Sequence, residues 1–232
     1  MSCELTDLAK ETKNIEIIEI GKHIIVDPVT LKRTNSKSTC GFVDLTNTAE
    51  YPGLVKRVKD SVGDAGLNVL FNNAGTSNKF TRLSFVKEEQ LIDSLRINTV
   101  APILLAKAFL PLLKQAAAHP PNQVGMSVSR AAVINMSSIL GSIENNDIGG
   151  FYPYRCSKAA LNAATKSMSL DLKDDNILCV ALHPGWVKTA MGGPNAPMDV
   201  ETCINNVLST IRSLTEKNIG AFLQFDGKML PW

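Results

Sequence analysis

The sequence has little net charge of either sign. Its 24 Lys and Arg stand against 22 Asp and Glu, leaving +2. That near-balance excludes partners held chiefly by electrostatics, so neither nucleic acid nor an anionic membrane surface is expected. The chain also lacks an apolar run approaching the roughly 20 residues that a bilayer crossing takes. Its start, Met1 to Lys10, carries acids and no secretory apolar stretch. Cysteine is sparse: Cys3, Cys40, Cys156, Cys179 and Cys203 are widely separated and odd in number. A disulfide framework and paired metal-ligand spacing are thereby disfavoured, and reduced thiols in a cytoplasmic protein are the expectation. None of the three histidines has a metal-type partner at close spacing, so no metal site is expected. Internal repeats and linker-like composition shifts are missing too, and residues 1–232 read as one domain.

What is present is a core. Apolar residues make up 44% of the chain, enough for one compact domain. Leu5 to Lys13 reads as the end of a helix and Ile15 to Ile20 as a short strand. From Gly21 to Phe42 the pattern dissolves into Asp27-Pro28, a basic Leu-Lys-Arg and the polar run Thr34 to Thr39, a composition suited to an inserted, mobile loop. Thr48 to Ser61 looks helical, and Leu67 to Phe71 is a short continuous apolar run, the mark of a buried parallel strand. A long helical pattern covers Glu88 to Ala118, with a kink expected near Pro102 and Pro111. Further strands are expected at Ala131 to Met136, Ile177 to Leu182 and Ala221 to Phe225. Helices are expected at Tyr152 to Leu172 and near Val200 to Leu214. Strands alternating with helices predict right-handed crossovers and a parallel sheet covered on both faces.

In such a sheet ligands gather beyond the carboxyl ends of the strands. Asn72-Asn73-Ala74-Gly75, Ser137-Ser138, Tyr154-x-x-x-Lys158 and Pro184-Gly185-Trp186-Val187-Lys188-Thr189 all fall there or at the start of the next helix. Tyr154 and Lys158 share one helix face. An ammonium beside a phenol favours the phenolate, bringing its pKa toward the range that acid–base work near pH 7 needs. Ser138 can donate a hydrogen bond to a substrate oxygen without ionising. Singly, each motif has a plainer reading. A Tyr-Lys pair at this spacing is usually a surface contact, Ser-Ser can cap a helix, and Asn-Asn-Ala-Gly and Pro-Gly are turn chemistry.

Taken in order, Asn-Asn-Ala-Gly, Asn98, Ser138, Tyr154-x-x-x-Lys158 and Pro-Gly resemble the short-chain dehydrogenase/reductase family over roughly Val43 to Trp232. The strings Ile134–Ser142, Ser157–Lys166 and His183–Thr189 are similar to the Sniffer-type, C-factor-like carbonyl reductases within it. The resemblance implies that Ser138 orients the substrate, Tyr154 donates the proton, and Lys158 lowers the tyrosine pKa and holds the cofactor ribose. Asn98 would support a water-linked proton relay. Tyr152 does not fit, because its fourth neighbour is Cys156. Pro184, Gly185, Val187 and Thr189 match the loop around the nicotinamide carboxamide. Asp44, Leu45, Asn73, Ala74 and Gly75 match contacts around the adenosine half. The implied reaction moves a hydride from NADPH, with NADP favoured over NAD, to a small ketone, aldehyde or quinone. The implied homodimer would form through Glu88 to Ala118 and Tyr152 to Leu172.

One departure is large. The family's strand, Thr-Gly-x-x-x-Gly-x-Gly turn and helix, whose N-terminus receives the pyrophosphate, has no counterpart in the 232 residues. The expected fold is therefore α/β, a Rossmann-type doubly wound parallel sheet, N-terminally truncated with the first βαβ missing and an insertion at 21–42. Loss of that strand should leave a neighbour's backbone groups unpaired. Two function classes follow. One is a carbonyl reductase. The other is a catalytically impaired truncated isoform acting only through dimerisation with relatives. Cofactor binding separates them.

Overall fold

The computed structural model describes residues 17–19, 43–78, 80–118 and 125–232. The expected helix at Leu5 to Lys13 and the insertion at Gly21 to Phe42 lie outside these residues. Five parallel strands, β1 (Ile17–Glu19), β2 (Val69–Asn72), β3 (Ala132–Met136), β4 (Leu178–His183) and β5 (Phe222–Gln224), lie side by side in chain order. β1 pairs Ile17 with Val69 and Glu19 with Phe71. The edge of β2, expected to stand open, is thus hydrogen-bonded.

The helices follow their apolar spacing. In α1 (Tyr51–Val62), Tyr51, Leu54, Val58 and Val62 form one buried stripe, and Pro52 sits in the first turn, where a missing N–H costs nothing. The expected long helix at Glu88 to Ala118 is α2 (Glu88–Leu95) and α3 (Ala101–Ala118) joined by a π-helical turn, Arg96–Val100. The irregularity therefore lies just ahead of Pro102, centred on Asn98, while Pro111 sits inside α3. Pro102 has no N–H to give the Asn98 carbonyl, so the ordinary ladder is already broken there. By length and composition the Glu88–Ala118 run could cross a bilayer. Its apolar residues serve the core instead, with Leu105, Phe109, Leu112 and Leu113 buried. α4 (Tyr152–Asp171) and α5 (Val200–Ser213) complete the set, α5 capped by the Asp199 carboxylate accepting from Thr202 N at 2.7 Å.

Two cores flank the sheet. Leu70, Val133 and Cys179 face α1, α3 and the C-terminal end of α4. Val69, Phe71, Ile134, Val180 and Leu182 face Cys203, Ile204, Val207, Leu208 and Ile211 of α5. Because the strand order never reverses, placing α4 and α5 on opposite faces gives the β4–α5–β5 crossover the opposite hand to the β3–α4–β4 crossover. This differs from the uniform right-handedness expected.

On the α4 face the strands end in buried polar groups. Asn72 Nδ2 donates to Asn135 Oδ1 at 2.8 Å, and Asn135 Nδ2 donates to Thr165 Oγ1 at 2.9 Å. Ser137 Oγ donates to Asn162 Oδ1 at 2.6 Å. These bonds fix the register of α4 over β3, and hence where its catalytic-motif residues sit. Asn135→Ala strips the Asn72 amide of its acceptor. It is expected to lower the unfolding free energy by on the order of 1–3 kcal/mol, the cost of a buried polar group without a partner. Urea denaturation checks this, and a change under about 0.5 kcal/mol, the ordinary range for neutral surface changes, would contradict it.

Candidate active site

β2 delivers Asn73, Ala74 and Gly75 to the carboxyl edge of the sheet, where the π turn meets them. Asn98, fully buried, is spent on holding this junction. Its Oδ1 accepts from Thr76 N at 2.8 Å, and its Nδ2 donates to Thr76 O at 2.8 Å and to Ser157 Oγ at 2.9 Å. Ser157 Oγ in turn donates to Tyr154 O at 2.8 Å, and Thr99 Oγ1 to Ser157 O at 2.7 Å. Ser157 went unremarked in the sequence as a separate contributor. Its position inside Tyr154-x-x-Ser157-Lys158 was the available signal, but its partners are 58 and 59 residues away.

β3 ends at Ser137-Ser138. Ser138 Oγ accepts from Leu140 N at 3.2 Å, so the helix-cap reading and the site reading both apply to it. It is also hydrogen-bonded to the Tyr154 hydroxyl. Lys158 lies one helical turn beyond Tyr154, 3% exposed, and donates to Met136 O at 2.7 Å. A Cβ on Gly75 would stand 3.6 Å from Lys158 Nζ and 3.4 Å from Asn98 Oδ1. Gly75, Asn98 and Lys158 therefore converge, and Ser138 and Tyr154 meet beside them.

The electrostatics differ from the simple ammonium–phenolate picture. Burial pushes the Tyr154 phenol above its ordinary value, with the Ser138 hydrogen bond working against this. Burial lowers Lys158 to about 7. Lys158 Nζ stands 5.8 Å from the centroid of the Tyr154 ring, and for both groups desolvation is the largest influence. The phenol thus holds its proton at neutral pH.

The remaining expected residues flank this centre. Asp44 Oδ1 accepts from Thr46 N and Thr46 Oγ1, both at 2.8 Å, and buried Leu45 takes the Tyr51 hydroxyl on its carbonyl at 2.8 Å. Arg96 ties this loop to the π turn through Thr46 O at 2.7 Å. Pro184, Gly185, Val187 and Thr189 follow β4. Val187 is buried and bridged to Met198, and Thr189 Oγ1 accepts from Gly192 N at 3.0 Å. His183 is buried, its pKa lowered to about 4 by desolvation, and so is neutral. Trp232 was missed by sequence reasoning. Its carbonyl accepts from Ile143 N at 3.0 Å, Glu144 N at 3.1 Å and Ser142 Oγ at 3.2 Å, and its ring stacks on Phe222. Among the described residues no group of His, Cys, Asp and Glu is placed to hold a metal ion.

The nicotinamide-ribose half of a dinucleotide fits what is present. Lys158 has three N–H donors and one carbonyl partner, and Gly75 leaves open the space beside it where a side chain would stand. For the pyrophosphate, the sequence supplies no glycine-rich turn.

A short chain dehydrogenase family model matches residues 22–199, and the chain belongs to that family of oxidoreductases. Within it the chain is of the Sniffer carbonyl reductase type. It is 49% identical to the carbonyl reductase Sniffer of D. melanogaster, with a TM-score of 0.81 over 100% of this chain and 84% of that one. To the NADPH-bound carbonyl reductase from chicken fatty liver it is 39% identical, with a TM-score of 0.76 over 82% of this chain and 75% of that one. The C-signal protein of Myxococcus xanthus is 37% identical over 166 residues, 72% of this chain and 93% of that protein.

The state of Lys158 has a measurable consequence. Unfolded, the amine keeps its proton up to its ordinary value of 10.5. Folded, it releases it from about 7. Between these the unfolded chain binds more protons, so stability rises with pH. Urea denaturation is expected to show this rise from about pH 7 to about pH 8.5, the onset of ordinary thiol ionisation. Above that, Cys179 and Cys203, pushed up by burial to about 12 and about 11, act in the opposite direction. Lys158→Met should flatten the rise, and an unchanged slope in that variant would assign it to another group.

Proposed function

We propose that this chain reduces the carbonyl group of a small ketone, aldehyde or quinone, with NADPH in preference to NADH. The cofactor, when bound, supplies a hydride to the carbonyl carbon. The Tyr154 hydroxyl gives its proton to the carbonyl oxygen, which becomes the alcohol, and the phenol regains a proton from solvent. Ser138 Oγ holds the carbonyl oxygen by a hydrogen bond. Lys158 would hold the ribose hydroxyls with its spare donors. Asn98 positions the segment from Gly75 to Thr76. Pro184, Gly185, Val187 and Thr189 would hold the nicotinamide half of the cofactor, and Asp44, Leu45, Asn73 and Ala74 the adenosine half. The observation that carries the reading is a buried, protonated phenol bonded to Ser138, one helical turn from a buried amine with donors to spare. NADPH is supported by its presence in the chicken relative. A cytoplasmic setting agrees with free thiols at Cys156, Cys179 and Cys203.

In a second reading the chain is catalytically impaired and acts only by dimerising with relatives. Ile92, Val100 and Ile103 along α2 and α3, and Leu170 on α4, leave apolar side chains exposed for such a contact.

Titration with NADPH and NADH separates the two readings: saturable binding supports the reductase, and its absence at millimolar concentration supports the second. With cofactor bound, Tyr154→Phe is expected to lower kcat by at least the roughly 10²–10⁴-fold that general acid catalysis contributes. NADPH affinity and thermal unfolding should stay unchanged. Retained turnover in that variant would remove Tyr154 from the role.

A further inference from the structure

Two aromatic side chains outside the catalytic set meet at the start of α4, the helix that carries Tyr154. Phe80 follows Thr76 by four residues, and Thr76 is the segment Asn98 clamps. Phe151 immediately precedes α4, and its carbonyl accepts from Arg155 N at 2.8 Å, placing it within one turn of Tyr154. Their ring centroids are 4.9 Å apart, edge to face at 85°. Two loops distant in sequence are thus joined at the turn that leads into Tyr154.

The backbone under this pair is unusual. Gly149, Gly150 and Phe151 are consecutive left-handed residues, at φ of 64°, 67° and 51°. A phenylalanine in that region is strained, and such strain persists where the surroundings impose it. Gly150 meets the Phe80 ring so closely that a Cβ there would lie 2.2 Å from Cε2 and 2.6 Å from Cζ. The loop gives up a side chain and a relaxed backbone to seat this ring. Yet Phe80 remains 49% exposed, with Ile148 exposed beside Gly149. A ring held firmly and left half uncovered offers a fixed apolar face that a ligand can rest against.

We infer that Phe80, seated on Gly150 and against Phe151, is a specificity-determining side chain that rests against the planar, ring-bearing part of the substrate whose carbonyl Tyr154 protonates. This rests on the reductase reading above. It adds that the chain discriminates ring-bearing carbonyls from short straight-chain ones, and that the discrimination resides in Phe80.

The test compares kcat/KM for 4-nitrobenzaldehyde with that for butanal, together with equilibrium dialysis of 2-acetylnaphthalene, which reads binding without turnover. Phe80→Ala is expected to lower the aromatic-to-aliphatic ratio about tenfold and to weaken 2-acetylnaphthalene binding about tenfold, the scale of one aromatic contact. Phe80→Tyr, which keeps the ring, should restore both, and Gly150→Ala, which displaces it, should act like Phe80→Ala. A purely structural pin would depress both aldehydes alike and leave the ratio unchanged, overturning the inference while the reductase reading stands. If wild type reduces neither aldehyde, the reductase reading fails. Dialysis then decides the role of Phe80, with equal binding by wild type and Phe80→Ala, or none by either, overturning it.

Discussion

The burial of one primary amine organises the site. Lys158 is almost completely enclosed, bonded to the Met136 carbonyl and paired with no carboxylate among the described residues. Removing an ammonium from water costs several kcal/mol, so the surrounding packing has to hold it in place. Gly141 makes room, since a Cβ there would stand 2.8 Å from Lys158 C and Cβ, and this lets α4 lie directly on the turn that carries Ser138. The polar ladder from Asn72 through Asn135 to Thr165, with the parallel bond from Ser137 to Asn162, sets α4 over the strand ends. Enclosure in turn keeps the phenol protonated.

Much of this was legible because it is local. Apolar runs at strand length and stripes at helical spacing located β2 to β5 and every described α-helix to within a few residues. The i,i+4 spacing of Tyr154 and Lys158 placed both on one face. Ser138 ahead of Gly141 made sense once Gly141 proved to be the point of contact with Lys158. The family resemblance put the expected site residues along one edge of the sheet, where the strand ends bring Gly75, Asn98, Ser138, Tyr154 and Lys158 together.

What escaped the sequence is what depends on distance and on competing energies. Ser157 joins Asn98 to α4 across 59 residues, and the Trp232 carbonyl holds a loop 90 residues away from it at Ser142. Neither pairing leaves a periodic trace. The hand of the last crossover depends on which face of the sheet α5 covers, a choice its own amphipathic stripe does not encode. Charge alone suggested a lowered phenol pKa, whereas the outcome depends on how far both groups are withdrawn from water. The pairing of Ile17–Glu19 with β2 was likewise unforeseen, because a three-residue strand carries no signature of which neighbour it joins.

The π turn at Arg96–Val100 carries one residue more than an α-helical turn would. An α-helix advances about 100° per residue, so this single extra position rotates everything downstream in α3 by about that angle relative to α2. That offset lets the first segment pack on α4 while the second turns Leu105, Phe109 and Leu113 toward α1 and the sheet. A one-residue deletion here would swing the interior-facing side chains of α3 away from the core, although none of them belongs to the catalytic set.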